Sequence, residues 1–187
     1  MARIVFISGS LRAQSLNTAA VATVRGLLEA AGADHTADQL QLGELPFYDF
    51  DVEQADSSEA VRDARALVAS ADAVVISTPS YNGQFPGVLK NALDWLSRPY
   101  GESALTGMPV AVLSASPGPR GGGDAQPVLV DVLRRSGARV VEHETVALGK
   151  AGDLLGEDGR YSDPEALAAL ESLLKAALAE AAAADAS

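Results

Sequence analysis

The 187-residue chain contains no cysteine. That excludes disulfides, thiolate metal sites, iron–sulfur clusters and a cysteine nucleophile. Histidine is nearly as scarce. His35 and His143 sit in isolated polar contexts with no partner at ligand spacing, and there is no GxSxG motif, so no nucleophile–base pair can be assembled. Basic residues are few: 14 Lys and Arg stand against 25 Asp and Glu, a formal charge of -11. Binding a nucleic-acid backbone needs a basic face, so no nucleic-acid partner is expected. No stretch approaches the ~18 apolar residues of a membrane span. The opening MARIVFISGS has one Arg and a short apolar run ending in Gly-Ser, without the longer apolar region and cleavage site of a signal peptide. The expectation is a cytoplasmic protein with no membrane contact.

Apolar residues make up 48% of the chain, enough with this length for one domain over residues 1–187 with a sizeable core. Continuous apolar runs at Ile4–Ile7, Ala73–Ser77 and Pro109–Ala115 read as strands buried on both faces of a parallel sheet. A weaker strand falls within His35–Leu42 and another at Arg139–Val141. Helical spacing covers Leu16–Ala31, Ser57–Ser70 with Ser57 or Ser58 as N-cap, Pro86–Arg98 and Asp124–Ser136. A last helix begins at Asp163-Pro164-Glu165, and its alanine-rich end, 180–187, is expected to fray. Gly43–Gln54 and Lys150–Arg160 read as loops. Alternating strands and helices imply a three-layer α/β sandwich whose five-stranded parallel sheet runs in the order 2-1-3-4-5. In that order strands 1, 3 and 4 are neighbours, so the loops that follow them converge on one crevice.

Each loop has its own chemistry. The first offers Ser10, Arg12, Ser15 and Asn17 just before a helix, where free N–H groups and the helix dipole attract anions. Neither GxxxxGK[ST] nor GxGxxG is present, which favours a terminal monophosphate over a triphosphate or dinucleotide. An ordinary capped helix with a surface Arg is the plainer reading of the same residues. The second, Pro79-Ser80-Tyr81-Asn82-Gly83, combines an aromatic, an amide and glycine-permitted backbone, suited to the edge of a flat polar ring. The third, Ser116–Gly123, combines glycines suited to close approach with Arg120. A flexible surface turn is the plainer reading of Gly121 to Gly123, and glycines there would also permit movement when a second substrate enters. Trp95 falls off the buried stripe of its helix and reads as an interface residue. A binding crevice without acid–base machinery points to a cofactor that brings its own chemistry.

GSLRAQSLN and TPSYNGQFPGVLKNALDWLSR, in this order and spacing, closely resemble the NADPH-dependent FMN reductase family, as do LPFYDFD and DGRYSDPEAL. The family includes chromate, quinone and azo-dye reductases. The resemblance implies a flavodoxin-like fold and non-covalent FMN. By position Ser10, Arg12, Ser15, Leu16 and Asn17 would hold its phosphate, and Pro79, Ser80, Tyr81, Asn82 and Gly83 its ring and ribityl chain. Ser116, Gly118 and Gly121 would close the other side. Many relatives carry Glu where this chain has Ser80. If backbone atoms make that contact, FMN binding survives while substrate preference near the ring differs. The resemblance also implies a homodimer or homotetramer, with the helix from Pro86 and the loop after the second strand near the interface.

The expected activity is two-electron transfer from NADPH or NADH to a small acceptor: a quinone, azo dye, chromate or free flavin. No side chain need act as acid or base. The alternative is a flavodoxin-type electron carrier without hydride chemistry, whose acidic surface would suit a basic redox partner. The Arg12 in the phosphate loop counts against it, because carriers favour hydroxyl-rich loops there.

Overall fold

A computed structural model describes residues 1–32, 35–55 and 58–185. Its centre is a sheet of β1 (Arg3–Ser8), β2 (Thr36–Leu40), β3 (Ala73–Thr78), β4 (Pro109–Ala115), β5 (Arg139–Val140) and β6 (Val146–Leu148). The strand order is β2-β1-β3-β4-β5, with β6 also pairing β4, and every pairing is parallel. The expected order therefore holds, and a sixth strand joins it. The apolar run is short there, only three residues between polar segments, and pairing with the end of β4 makes it a strand.

Alternation along the buried strands sorts side chains between two cores. Ile4, Phe6, Val75 and Leu113 face α1 (Leu16–Ala31) and a C-terminal helix spanning Pro164–Asp185. Val5, Ile7, Val74, Ile76 and Val112 face the three helices of the opposite layer. In chain order α2 (Phe50–Ala55) follows β2. The layer itself is α3 (Glu59–Ala69), α4 (Gly87–Leu96) and α5 (Gln126–Arg135), which makes the C-terminal helix α6.

Several boundaries differ from expectation for identifiable reasons. The segment read as a loop, 43–54, contains α2, whose first turn is capped when Asp49 Oδ1 accepts from the Asp51 N–H at 2.8 Å. Ser58 precedes α3 without capping it through its side chain, and Ser57 lies outside the described residues. At the other end, α6 runs past residue 180, and residues 186–187 of the expected frayed tail lie outside the described residues. The helix continues to Asp185, because Ala177 and Ala181 are small enough to pack their helix face into the core, where both are essentially inaccessible. Asp163 does cap it, its Oδ1 accepting from the N–H groups of Glu165 and Ala166, each at 3.0 Å.

Trp95 overturns the surface reading. It is fully buried, with its indole N–H donating to the Pro46 carbonyl at 2.8 Å. The segment before α2 folds over it: the Tyr48 ring meets it edge-on with centroids 4.9 Å apart, and the Arg65 guanidinium stacks 5.7 Å from its centre. Asn91 completes the knot by donating to Pro46 O and accepting from the Tyr48 N–H. Tyr48 in turn donates to the Glu53 carboxylate at 2.7 Å, and that bond, with burial second, pushes its hydroxyl pKa up. Helical periodicity could not reveal this, because the covering partner comes from a segment more than forty residues earlier in the chain. Trp95→Ala is expected to cost about 3–5 kcal/mol, read as a lowered midpoint in urea denaturation.

Candidate functional site

The C-terminal ends of β1, β3 and β4 lie side by side, with Ser8 opposite Ser77 and Thr78 opposite Ser114. Asn17, in the first turn of α1, reaches into this seam and is buried there. Its Nδ2 donates to the Ala115 carbonyl at 3.0 Å. Its Oδ1 accepts from the Ala115 N–H at 3.1 Å and from the Ser77 hydroxyl at 2.9 Å. One amide thus ties the first loop to the ends of β3 and β4. Its side chain lines the cleft above, but most of its hydrogen-bonding capacity is spent inside the protein.

The first loop leaves β1 through Gly9, whose N–H donates to Ser77 O at 2.8 Å. Ser15 is the N-cap of α1: its hydroxyl oxygen accepts from the N–H groups of Asn17 and Thr18, each at 3.2 Å. Its own proton is left to donate outward. Arg12 is exposed, with one guanidinium nitrogen donating to Gln14 O at 2.9 Å and the rest of the fork open. The loop holds no carboxylate, so Arg12 and the helix dipole act together on an anion.

The second loop is a tight turn in which Tyr81 and Gln84 exchange backbone hydrogen bonds of 2.8 and 3.1 Å. Asn82 and Gly83 both take positive φ, 56° and 79°, a pair that asparagine and glycine tolerate best. The turn leaves Tyr81 more than half exposed beside the cleft.

The third loop is pinned rather than loose. Ser116 N–H donates to Leu148 O, Lys150 N–H to Gly118 O and Ala151 N–H to Ser116 O, all at 3.1 Å, so the loop continues the pairing of β4 with β6. Gly121 is left-handed at φ 60°, and a Cβ there would collide with the Ala147 carbonyl. The close approach read for this loop's glycines is thus made, to β6, and Gly121 does not stand free as a surface turn. Gly122 turns the chain back so that it passes Ser80.

Two adjoining clefts result. One, of about 90 Å³, is lined by Ser10, Arg12, Ser15, Leu16 and Asn17 on one side and Pro79, Ser80, Tyr81, Ser116 and Pro117 on the other. The next, about 220 Å³, shares Ser80 and Ser116 and adds Gly118, Arg120, Gly122 and Asp124. The loops after β1, β3 and β4 therefore do meet. Of the residues singled out in the sequence, Asn82, Gly83 and Gly121 line neither cleft. Gly83 lies near the second one's rim: a Cβ added there would stand 4.0 Å from the Asp124 carboxylate. Asp124 and the seam role of Ser77 were not singled out: the first reads as a helix start, the second as a strand residue.

A larger groove, about 580 Å³, lies at the C-terminal ends of α4 and α5. Size does not make it the site. Its Lys90 and Arg135 are paired with Asp94 and Asp131 at 2.6 and 2.8 Å, and none of the converging loops reaches it.

The profile of the family described as NADPH-dependent FMN reductase matches residues 2–153. The chain belongs to the NADPH-dependent FMN reductase family. A quinone reductase of Pseudomonas putida is 36% identical over 160 residues, 86% of this chain and 84% of that protein. A 2-hydroxy-1,4-benzoquinone reductase of a Burkholderia species is 35% identical over 165 residues, 84% of this chain and 88% of the relative. Among solved structures, FerB of Paracoccus denitrificans, a flavoenzyme NAD(P)H:(acceptor) oxidoreductase, superposes with a TM-score of 0.88 at 30% identity, covering 98% of each chain.

For an FMN reductase, the donor set fits a phosphorylated flavin: a helix N-terminus, an outward serine proton, a guanidinium and no nearby carboxylate in the first loop. The seam beneath it is testable. Asn17→Ala strands the Ser77 hydroxyl and both Ala115 backbone groups, and at about 1–3 kcal/mol for each buried group is expected to cost about 3 kcal/mol or more, measured by urea denaturation of the flavin-free protein.

Proposed function

We propose that the chain is an FMN-dependent NAD(P)H oxidoreductase that reduces quinones. The observation that carries the reading is the joining of a phosphate-suited first loop and a ring-suited second loop in one cleft, in a chain related along most of its length to reductases named for quinone substrates. The net reaction is NAD(P)H, a proton and quinone going to NAD(P)+ and hydroquinone. Bound FMN would supply the redox chemistry, accepting a hydride equivalent from the nicotinamide and passing it on.

The chain's own residues bind and orient. Ser10, Arg12, Ser15 and the positive end of the α1 dipole hold the phosphate. Leu16 walls that pocket, and Asn17 keeps the pocket joined to β3 and β4. Pro79, Ser80, Tyr81, Asn82 and Gly83 support the ring and ribityl chain, and Ser116 and Gly118 border the opposite side. Arg120, exposed at the rim of the second cleft, offers a cation to the phosphates of the nicotinamide nucleotide. The relatives are named as reductases, which favours this over an electron carrier.

Catalysis by a cytoplasmic homodimer or homotetramer belongs to the same proposal. Among the described residues no helix is long and apolar enough to cross a membrane. With Trp95 buried, support for a subunit interface moves to the segment that covers it and to α2, where Phe47 and Phe50 are 89% and 61% exposed. Two exposed aromatics three residues apart in the chain favour burial against a partner.

Anaerobic stopped-flow should show the visible flavin band bleaching on mixing with NADH or NADPH and returning on adding a quinone. A protein that holds FMN yet resists both nucleotides would be a carrier. Arg12→Ala is expected to weaken FMN binding by about 1.5–3 kcal/mol, the range for a hydrogen bond to a charged group, as read by flavin fluorescence titration. Light scattering coupled to gel filtration should report a dimer or larger, and the Phe47→Ser, Phe50→Ser double variant should shift it toward monomer. An unchanged mass would move the interface elsewhere.

A further inference from the structure

The segment from Leu154 to Asp163 is a strap that returns to α1 before α6 begins. It closes on itself through an antiparallel bridge between Leu155 and Tyr161 and a Gly156 N–H to Arg160 O bond of 2.8 Å. A cleft of about 480 Å³ separates Leu155, Asp158 and Arg160 of the strap from Gln14, Ser15 and Leu16 of the phosphate loop. Tyr161, the residue after Arg160, packs in the core beside α1 and joins the strap to it. It is 3% exposed, its N–H donates to Thr23 Oγ1 at 3.0 Å, and its hydroxyl donates to Leu16 O at 3.1 Å. Burial pushes the hydroxyl pKa upward, so the group stays a neutral donor.

The bond to Leu16 leads directly to the cofactor cleft. The Leu16 carbonyl and the Asn17 N–H are two ends of one rigid peptide plane. That N–H donates to Ser15 Oγ, and the Thr18 N–H donates to the same oxygen. With both acceptor positions filled, the Ser15 proton is free to donate, and of the two clefts that Ser15 borders, the one shared with Ser10 and Arg12 is where a phosphate would take it. A chain of hydrogen bonds therefore runs from Tyr161 through one peptide to Ser15, and each link polarises the next.

We propose that Tyr161 is a positioning residue that makes the site prefer phosphorylated flavin, by holding the first peptide of α1 and aiming the Ser15 hydroxyl at the phosphate. This rests on the flavin-binding reading above, and it assigns a function to a strap that touches no part of the cleft.

The test compares FMN with riboflavin, which has the same ring and ribityl chain but no phosphate. Both are titrated by flavin fluorescence against the full chain and against Tyr161→Phe, which keeps the ring in the core. FMN affinity should fall by about fivefold or more, the size of one lost hydrogen bond, while riboflavin affinity changes by less than about twofold. Thr23→Val, which removes the other anchor of Tyr161, should show the same selectivity to a smaller degree and serves if Tyr161→Phe does not fold. An equal loss for both flavins, or no loss for either, overturns the assignment while leaving the functional reading in place. A wild-type protein that binds neither flavin removes both.

Discussion

The site depends on one buried amide. Where β1, β3 and β4 end, backbone groups that the ladder no longer pairs must find partners, because leaving them unsatisfied inside the protein costs about 1–3 kcal/mol each. Asn17 meets Ser77 and both polar groups of Ala115 with a single side chain. It sits in the first turn of α1, so satisfying the seam also fixes where the helix begins relative to the sheet. The helix N-terminus, with the positive end of its dipole, is then held over the crevice by an interaction internal to the fold.

The other loops are also held by contacts on the side away from the cleft. Tyr81 and Gln84 close the second loop on itself. The third is stitched to β6, and Gln126, another buried amide, donates to Ser114 Oγ and to Val146 O, at 2.7 and 2.8 Å, joining β4, β6 and α5. A site built this way meets its ligand with little ordering left to do. That suits a protein whose side chains orient a redox ring and need not move protons.

Much of the architecture was legible in the residues. β1, β3 and β4 are continuous apolar runs because both faces are covered, and parallel pairing with right-handed crossovers leaves few alternatives to the observed order. Asp163-Pro164 carried the start of α6 in its chemistry. What was illegible depended on remote segments. Trp95 looked peripheral because helical spacing counts only neighbours on its own helix, while Pro46, Tyr48 and Arg65 cover it from elsewhere. β6 is too short to announce itself. The alanine-rich end of α6 looked weak because alanine buries little area, yet its small size is what lets that helix pack closely.

The sequence alone determined which side chains the first two loops present and that strands 1, 3 and 4 would bring those loops together, since local motif and hydrophobic pattern act over short stretches of chain. Only the tertiary structure decided how those side chains are used. Asn17 spends its amide on the seam while still lining the cleft, Gly121 makes its close approach to the Ala147 carbonyl of β6, and Tyr161 reaches the Leu16 carbonyl of α1. Each outcome turns on a hydrogen bond or a steric limit between residues far apart in the chain, and such pairings exist only once the layers have packed.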